Sequence, residues 1–463
     1  MNTVIKNGII VTSGDVFKSN LLIKGSKIFS FNKNNVSSEK DCKIIDAENC
    51  YVLPGFIDVH NHYNLPFCGT FSSDDFFSGS ISLASGGTTS FIDFVPPITS
   101  NLIKNVEVWF KKASCSIIDY GFHCIIKEVN KNTKKQVSYL IDNGITSFKI
   151  FTAYPNAFMI ENEDIIKIMK ISNNTGALVC VHCENGEVIN SFTKNLINNN
   201  FISPINHYFS RPDFLEKEAI SRIYCFSKLY NPYIYIVHVS SFFSLNDLIN
   251  DEILNKNIFL ETCPQYLIFD SNNYFFDSYF SSNFIMSPPL RSKFNKNKLW
   301  SLINKEKIKV ISSDHCSFFY NDQKKKMSSK FNFIPNGCSF GQNRAILLYN
   351  YGVLKNKISL NKWIDLLSVY PSKIFGLYPK KGTLNIGAYA DVVIFDPNKK
   401  SVLSKINNFS NIDNEICDST QMKGLIKYVI SKGKIIFEKN KVNIESFKNG
   451  SFLKRKIPIY GSF

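Results

Sequence analysis

Short apolar runs in the middle of the chain end in residues that can bind a metal ion. These residues are four histidines and one aspartate: His60, His62, His182, His238 and Asp314. Residues two apart in an extended strand point to the same side, so His60 and His62 can reach one ion. Imidazole nitrogens and carboxylates are common zinc ligands in proteins. The set predicts a metal centre, whereas a single histidine in an apolar run would indicate a satisfied core residue.

Eight apolar runs of strand length carry these residues and alternate with helix-length segments. The runs are 55–60, 88–94, 120–126, 145–151, 178–183, 233–238, 257–263 and 308–314. Segments with helical periodicity, such as 163–174 and 215–230, lie between them. This alternation predicts an α/β protein with a (β/α)8 TIM-type barrel, and no GxGxxG follows the first run as a dinucleotide fold would require. Active sites of such barrels form where the strands end, which is where the candidate ligands stand.

Lys149 lies near the end of the fourth run, where burying a cation costs free energy. One interpretation is a lysine whose amine reaches solvent along the strand. The other is a neutral, desolvated amine that takes up CO2 and becomes a carbamate. A carbamate is an anion with two oxygens that can bridge two metal ions. Four histidines and one aspartate are few ligands for two zinc ions, and a bridging anion would complete the set.

The other three histidines carry weaker signals. His123 lies inside the third run and not at its end, which favours a structural role. His207 and His315 are ambiguous, although His315 directly follows Asp314 and is expected to point away from the metal.

The composition is that of an ordinary globular protein. Of 463 residues, 44% are hydrophobic and 20% charged, which excludes a disordered or fibrous chain. The net charge of +16 comes from dispersed lysines, so we expect neither nucleic acid nor a membrane as a partner. No apolar run approaches the ~18 residues of a membrane span, and the N-terminus lacks a signal-peptide pattern. The 12 cysteines form no CxxC pair and indicate free thiols in a cytoplasmic protein.

Strand-rich segments at both ends of the chain flank the predicted barrel. Alternating apolar residues broken by Gly and Asn-Gly recur in both segments. We predict a small β-sandwich domain built from residues 1–53 and 376–440, with the catalytic barrel at 54–375 between its halves. The basic tail 441–463 is compatible with oligomer contacts.

Blocks of sequence along nearly the whole chain occur in the order found in one known family. They are PGFIDVHNHYNLPFCGTF, GITSFKIFTAY, VHCENGEVI, HYFSRPDFLEKEAISR, ETCPQYL, MSPPLR, SSDHCSF and YPSKIFGLYPKKGTLNIGAYADVVIFDP. The chain thereby resembles the dihydropyrimidinase/D-hydantoinase family of the cyclic amidohydrolases, and dihydropyrimidinase most. The LPFxGT and CPQYL blocks favour this family over dihydroorotases and allantoinases. The resemblance implies hydrolytic opening of a cyclic imide or amide ring.

The resemblance also implies a centre of two zinc ions per subunit. The implied ligands are His60, His62 and Asp314 for the first ion, His182 and His238 for the second, and Lys149 as N6-carboxylysine, a CO2-derived carbamate, between them. A hydroxide bridging the two ions would be the nucleophile, since two cations lower its pKa. Asp314 would carry its proton to the leaving ring nitrogen, as general base and then general acid.

Further positions that match the family pattern would contact the substrate. Tyr154, five residues after the carboxylated lysine, would donate a hydrogen bond to the tetrahedral oxyanion instead of serving only as a wall. Ser287 in MSPPLR and Asn336 in IPNG would hold the imide edge of the substrate through backbone groups. Leu65 and Phe151 are candidates for an apolar gate facing the ring substituent, or for ordinary packing.

Two departures from the family pattern stand near these positions. Asn61 replaces the usual threonine between two ligands, and strand alternation turns it away from the metal. Gln342 and Asn343 stand where an acidic residue is usual before Arg344. The lost charge could loosen the loop that carries Asn336, which puts the substrate preference in doubt.

The sequence leaves three functions open. The first is ring opening of 5,6-dihydrouracil or dihydrothymine to an N-carbamoyl-β-amino acid, in pyrimidine degradation. The second keeps this mechanism but acts on 5-substituted hydantoins. The third is a non-enzymatic oligomeric scaffold, as in metal-free relatives, but those have lost ligands that this chain keeps. The resemblance further implies a homotetramer.

Overall fold

The computed structural model describes residues 2–32, 42–443 and 449–460, which contain nineteen β-strands. In chain order these are β1 (Asn2–Val11), β2 (Val16–Lys24), β3 (Lys27–Asn32), β4 (Cys42–Asp46), β5 (Tyr51–Pro54), β6 (Phe56–Asn61), β7 (Pro66–Phe67), β8 (Thr70–Phe71), β9 (Thr88–Val95), β10 (Asp119–Ile125), β11 (Ser147–Phe151), β12 (Leu178–His182), β13 (Tyr233–Ile236), β14 (Ile258–Thr262), β15 (Val310–Ile311), β16 (Val392–Leu403), β17 (Thr420–Ser431), β18 (Lys434–Glu438) and β19 (Lys441–Val442).

Thirteen α-helices lie in the same described ranges. They are α1 (Phe76–Ser85), α2 (Leu102–Ala113), α3 (Thr133–Asp142), α4 (Asn162–Thr175), α5 (Gly186–Asn198), α6 (Ile205–Ser210), α7 (Asp213–Tyr230), α8 (Pro264–Ile268), α9 (Ser278–Ser281), α10 (Lys293–Asn304), α11 (Arg344–Leu348), α12 (Leu360–Ile364) and α13 (Tyr370–Ile374). Short 3-10 turns occur at Phe243–Leu245, Ser271–Phe275, Ser282–Phe284, Phe331–Phe333 and Lys405–Asn407, and π turns at Tyr320–Lys325, Tyr349–Val353 and Asp365–Val369. Among the described helices, none combines the length and the apolar character needed to cross a membrane.

Eight parallel strands form a barrel whose neighbours follow chain order, from β6 through β9 to β15. A parallel bridge between Asn61 and His315 joins the first strand to the residues after the last. Every residue of β9, β10, β11 and β12 is buried, as expected for strands covered on both faces. The predicted TIM-type barrel is confirmed.

The predicted strand bounds agree with the structure to within two residues for seven of the eight strands. The exception is β15, which ends at Ile311, whereas the run was expected to continue to Asp314. The chain leaves the sheet there because the backbone N–H of Ser313 donates to Asp58 Oδ1 (3.1 Å) and Asp314 adopts a left-handed conformation. This turn brings the Asp314 carboxylate over the barrel mouth.

Both ends of the chain contribute to one mixed sheet beside the barrel. Its strand order is β19-β18-β17-β16-β5-β1-β2-β3, with β4 paired to β1. The two halves join where β5 pairs antiparallel with β16, through partners such as Val52 and Ile394. The prediction that both ends of the chain form a second, strand-rich part of the fold is confirmed. Strand β19 lies just past the expected boundary at 440 because it returns on β18 as a hairpin; the domain boundaries stay a prediction.

The described part of the tail, 449–460, packs across the N-terminal ends of the barrel strands. The Leu453 N–H donates to the Tyr120 carbonyl at 2.7 Å. The buried Arg455 guanidinium donates to Ser147 Oγ at 2.8 Å. These residues therefore contact their own barrel, and an oligomer contact by the tail stays a prediction.

The amides of Gln342 and Asn343 support a segment other than the loop expected from the sequence. Gln342 Nε2 donates to the Asn407 carbonyl at 2.7 Å, and its Oε1 accepts from the Phe409 N–H at 2.7 Å. Asn343 Nδ2 donates to Glu415 at 3.1 Å. Both amide side chains thus have hydrogen-bond partners among residues 407–415.

Candidate metal centre

Three of the predicted ligands meet directly at the C-terminal mouth of the barrel. Asp314 Oδ1 lies 3.0 Å from His60 Nε2 and 3.3 Å from His62 Nε2. Both histidines project to the same side, as strand alternation predicts. Asn61, between them, turns away and donates to the Asp58 carbonyl at 3.2 Å.

The other two predicted histidines form a second group beside the first. His182 Nδ1 faces His238 Nε2 at 2.9 Å. The rings of His60 and His238 are 5.5 Å apart, and ligand atoms of His60, His238 and Asp314 lie within 4.8 Å of one another. The structure therefore brings both predicted ligand groups into one cluster.

Lys149 occupies the middle of β11, with its side chain in the cavity below these groups. The residue is 0% exposed, so the interpretation of an amine that reaches solvent is wrong. Its Nζ has no hydrogen-bond partner in the described part of the chain and lies 5.0 Å and 4.9 Å from the ring centroids of Phe94 and Phe151. Burial lowers the pKa of this amine to about 8.

A buried carboxylate fixes the ring of His60 from behind. Glu261 Oε1 lies 2.7 Å from His60 Nδ1 and accepts the backbone N–H of His238 at 2.9 Å. Glu261 Oε2 accepts the Tyr235 hydroxyl at 2.9 Å. A carboxylate on Nδ1 fixes the orientation of the ring so that Nε2 faces Asp314, as the partners of metal-binding histidines do.

A second buried carboxylate fixes the ring of His182. Glu184 Oε2 lies 2.9 Å from His182 Nε2 and 2.8 Å from Arg211 Nη1. Burial would raise the pKa of Glu184, but Arg211 and His182 outweigh it and lower this pKa to about 2. The ionised carboxylate leaves His182 Nδ1 directed at His238.

The surroundings shift the pKa values of the four imidazoles in different directions. Burial lowers the pKa of His62 to about 4 and also lowers those of His182 and His238, so these rings are neutral at pH 7. Burial opposes the charge on His60 too, but Asp314 and Glu261 raise its pKa to about 9. Neutral imidazoles bind metals, and carboxylates that favour a proton also favour a metal cation.

Three site residues have strained backbones. Tyr154, His238 and Asp314 have φ values of +65°, +40° and +50°. Non-glycine residues pay about 1 kcal/mol or more for such conformations, which cluster at functional sites. The strain directs three side chains into one cavity and marks it as the functional centre of the barrel.

Predicted substrate-binding residues line the same cavity. Asn336 Nδ2 donates to Ser287 Oγ at 2.9 Å, and both side chains lie beside Tyr154, where they lower the pKa of its hydroxyl. Burial raises the pKa of Tyr154 to about 12, with the nearby Arg211 opposing the shift. The hydroxyl therefore keeps its proton at neutral pH and can donate a hydrogen bond.

An apolar wall faces these polar groups. The predicted gate residues Leu65 and Phe151 line the cavity together with Phe67 and Phe158. The rings of Phe151 and Phe158 are 5.2 Å apart, and that of Phe67 lies 5.4 Å from the ring of Tyr154. This wall suits the apolar part of a small ring or its substituent.

The side chains of His123 and His207 form hydrogen bonds outside the cluster of proposed ligands. His123 is held between Ser147 Oγ at 2.6 Å and the Val59 carbonyl at 2.9 Å, which is a structural role. His207 Nε2 donates to the Met286 carbonyl at 2.8 Å. Neither ring belongs to the ligand cluster.

His315 points away from the cluster, as the sequence predicts. Its Nε2 lies 2.9 Å from Asp74 Oδ2, and its Nδ1 accepts the Gly341 N–H at 3.1 Å. Asp74 thus anchors the residue after Asp314. Asp74 was not identified from the sequence, since an aspartate in an SSDD loop looks like a solvated turn.

Glu261, Glu184 and Arg211 were also not identified from the sequence. Glu261 lies inside the predicted strand 257–263, where a charged residue costs as much to bury as Lys149 does. The cost of burying its charge could therefore have identified Glu261 as a candidate site residue. Glu184 and Arg211 lie in loops 27 residues apart, and only the fold shows that they pair.

The donor set fits a pair of divalent ions. Two groups of ligand atoms lie side by side, a buried carboxylate orients one imidazole in each, and the Lys149 amine beside them is unpartnered among the described residues. Ion pairs that only stabilise a fold do not require two imidazole nitrogens that face each other, as those of His182 and His238 do. Hydrolysis with an activated water is chemistry that such a site supports.

Known proteins resemble the chain over almost its whole length. The profile of the Amidohydrolase family matches residues 51–436. The D-hydantoinase of Geobacillus stearothermophilus is 36% identical over 98% of this chain and 97% of its own. The D-phenylhydantoinase of Escherichia coli is 34% identical over 98% of both chains. The crystal structure of dihydropyrimidinase from Brevibacillus agri superposes with a TM-score of 0.96, at 34% identity and 99% coverage of each chain.

Proposed function

The chain belongs to the Amidohydrolase family and, within it, to the dihydropyrimidinase/D-hydantoinase group of hydrolases acting on cyclic amides, and we propose that it opens 5,6-dihydrouracil and dihydrothymine with the help of two zinc ions. The product is the corresponding N-carbamoyl-β-amino acid, as in pyrimidine degradation. The observation that carries the proposal is the convergence of four imidazoles and Asp314 around the unpartnered Lys149 amine.

Lys149 is proposed to be carboxylated. Carbamate formation needs a neutral amine, and a pKa of about 8 leaves a substantial neutral fraction at physiological pH. The carbamate adds the anion that two zinc ions lack in a set of four histidines and one aspartate. We propose that His60, His62 and Asp314 hold one ion, that His182 and His238 hold the other, and that Lys149 contacts both.

Divalent ions held by these residues would supply Lewis-acid chemistry, since they would make a water more acidic and would polarise the amide carbonyl. Asp314 accepts the proton of the attacking water, because its pKa lies well below the usual range and the carboxylate is ionised. It then protonates the leaving ring nitrogen. Tyr154, whose pKa is about 12, keeps its proton at neutral pH and donates a hydrogen bond to the oxyanion. Ser287 and Asn336 hold the imide edge of the ring.

The second candidate is hydrolysis of 5-substituted hydantoins by the same residues. It is favoured by the names of the sequence relatives, D-hydantoinase and D-phenylhydantoinase. The apolar wall of Leu65, Phe67, Phe151 and Phe158 would face the substituent at ring position 5.

The substrate is tested by measuring kcat/KM of the zinc-loaded protein on 5,6-dihydrouracil, dihydrothymine, hydantoin and both enantiomers of 5-phenylhydantoin. We expect the highest value on a dihydropyrimidine. A higher value on 5-phenylhydantoin would replace the first candidate by the second. The Asp314→Asn variant should lose at least about 100-fold in kcat on every substrate, as for removal of a general acid–base group.

We further propose a cytoplasmic homotetramer. All twelve cysteines are free thiols, which suits a reducing compartment. The tetramer rests on the family resemblance, and light scattering after size-exclusion chromatography tests it through the molar mass.

A further inference from the structure

A very short hairpin carries part of the apolar wall of the cavity. Its strands β7 and β8 have two residues each and pair antiparallel. Phe67 extends from this hairpin toward Tyr154, with 5.4 Å between the two ring centroids, and stacks on the ring of Phe158 at 6.3 Å. The position of Phe67 therefore sets the room that the cavity leaves for a ring substituent.

So short a hairpin needs support from other parts of the chain. An isolated two-stranded hairpin is at best marginally stable in water. Its turn includes Cys68, whose φ of +49° is costly for a residue other than glycine. The Leu65 N–H donates to Ser72 Oγ at 2.9 Å, and the Ser72 N–H donates to the Leu65 carbonyl at 3.0 Å. These two bonds fix the base of the hairpin but do not reach the residues of β8.

The side chain of Gln323 bonds β8 from outside the hairpin. Its Nε2 donates to Thr70 Oγ1 at 2.7 Å and to the Phe71 carbonyl at 2.9 Å. Its Oε1 accepts the Phe319 N–H at 2.6 Å. A backbone N–H only donates and a carbonyl oxygen only accepts, so these partners fix which end of the amide faces the hairpin. Both ends of the Gln323 amide are thus committed to holding the hairpin in one place.

The turn that carries Gln323 is itself anchored to the opposite wall of the cavity. Lys324, the next residue, is buried, and its Nζ donates to the carbonyls of Ile285 at 3.0 Å and Asn283 at 3.4 Å. Ile285 lies two residues before Ser287, which is proposed to contact the substrate. Adjacent residues of one turn therefore connect the hairpin to the segment that carries Ser287, and Gln323 is a fixed point for the hairpin.

We propose that Gln323 is a positioning residue that determines substrate specificity, because it holds the hairpin closed and thereby keeps Phe67 against the bound ring. The inference rests on the proposed ring-opening activity. With the hairpin held, the cavity fits a small unsubstituted ring such as 5,6-dihydrouracil. Once the hairpin is released, the wall loses its contact with the small ring and makes room for a bulky group such as the phenyl ring of 5-phenylhydantoin.

The test compares zinc-loaded Gln323→Ala with the zinc-loaded wild type on 5,6-dihydrouracil and 5-phenylhydantoin. On 5,6-dihydrouracil, KM should rise about tenfold, the scale of one or two lost hydrogen bonds, and kcat should change little. The ratio of kcat/KM on 5-phenylhydantoin to that on 5,6-dihydrouracil should therefore rise about tenfold. Asp322→Asn, at the exposed neighbouring position, is the matched control and should leave this ratio unchanged.

Two further measurements distinguish this role from a general contribution to stability. Thr70→Ser keeps the hydroxyl that Gln323 bonds and should retain the wild-type ratio, whereas Thr70→Val removes it and should shift the ratio in the same direction as Gln323→Ala. Hydrogen exchange followed by mass spectrometry should be about tenfold faster at the amides of residues 67–71 in Gln323→Ala. Exchange in the barrel strand β9 should stay as in the wild type.

The outcomes separate this inference from the proposed function. An unchanged substrate ratio in Gln323→Ala, an equal loss of activity on both substrates, or unchanged exchange at residues 67–71 would overturn the inference and leave the ring-opening activity standing. If Gln323→Ala does not fold, the ratio measured with Thr70→Val against Thr70→Ser decides in the same way. A wild-type protein that hydrolyses neither substrate would overturn the proposed function and the inference with it.

Discussion

Tyr154 combines three properties that single it out at the scale of the residue. Its backbone is strained at φ +65°, its hydroxyl lies beside Ser287 and Asn336, and the Arg211 guanidinium lies 5.6 Å from its ring centroid. Burial raises its pKa to about 12. The residue is therefore held in place as a hydrogen-bond donor that does not ionise in the working range of pH.

Tyr154→Phe should lower kcat by about 10²- to 10³-fold, the usual loss for one oxyanion donor. KM should change little, because the donated hydrogen bond forms with the oxyanion and not with the bound substrate. Steady-state kinetics with parallel measurement of bound zinc checks both points. Tyr139→Phe, at an exposed position on α3, is the matched control and should leave kcat unchanged. An unchanged kcat in Tyr154→Phe would exclude the proposed role.

The proposed ligand residues could be selected from the sequence because the selection depends on a local pattern. Each follows an apolar run, and the barrel rule alone brings such positions to one end of the molecule. Glu184 and Arg211 carry no such pattern, since their roles arise from loops that meet only in three dimensions. The carboxylates behind the histidines are therefore visible only in the fold.

At the scale of the element, α6 supports the loop that carries Ser287. His207 of α6 is buried and donates to the Met286 carbonyl at 2.8 Å, one residue before Ser287. Burial, with a contribution from Arg211, lowers the pKa of His207 to about 3. The folded protein thus keeps this ring neutral, whereas the unfolded chain protonates it near pH 6.5.

The acid sensitivity of the protein should depend on His207. Between about pH 6.5 and pH 3 the unfolded chain binds one proton more at this residue, so stability falls as pH falls, by up to about 1.4 kcal/mol per pH unit. His207→Gln keeps a donor for the Met286 carbonyl and removes the titration. Calorimetry of the metal-free proteins should show a shallower decline of Tm from pH 6.5 to pH 4 in the variant. Parallel declines would contradict this account.

Strand positions could be predicted from apolar runs, but their ends could not. In β13 and β15 the run continues two or three residues past the last paired residue. The chain turns early because His238 and Asp314 adopt left-handed conformations. Local hydrophobicity does not indicate such strained backbone conformations, because tertiary contacts stabilise them.

At the scale of the whole molecule, a buried ion network connects the barrel to the terminal sheet. Lys381 Nζ lies 2.9 Å from Asp119, which begins β10, and 2.6 Å from Asp391, which precedes β16. Lys432 Nζ lies 2.7 Å from Asp119. These contacts fix the terminal sheet beside the barrel end opposite to the candidate metal centre.

Lys381→Met should destabilise the protein by about 3–5 kcal/mol, because it leaves buried carboxylates without their cation. Differential scanning calorimetry should show a lower Tm. Lys380→Met removes an exposed neighbouring charge and should leave Tm unchanged. Equal Tm values for the two variants would show that the network does not hold the two parts together.

The overall architecture could be predicted from the order of runs along the chain, and the family and enzyme class from the order of its motifs. The pairing of β5 with β16 could not, since nothing local specifies a partner 340 residues away. Lys381 was likewise not recognised, because its partners belong to separate parts of the fold.

The central claim is that hydrolysis depends on zinc and on a carboxylated Lys149, and one reconstitution experiment tests it directly. Protein stripped of metal is supplied with zinc, bicarbonate, both or neither, and ring opening of 5,6-dihydrouracil is followed by the loss of its ultraviolet absorbance. The account predicts turnover only with both additives in the wild type, and none in Lys149→Ala under any condition. Full activity of Lys149→Ala, or turnover by the wild type without zinc, would contradict it.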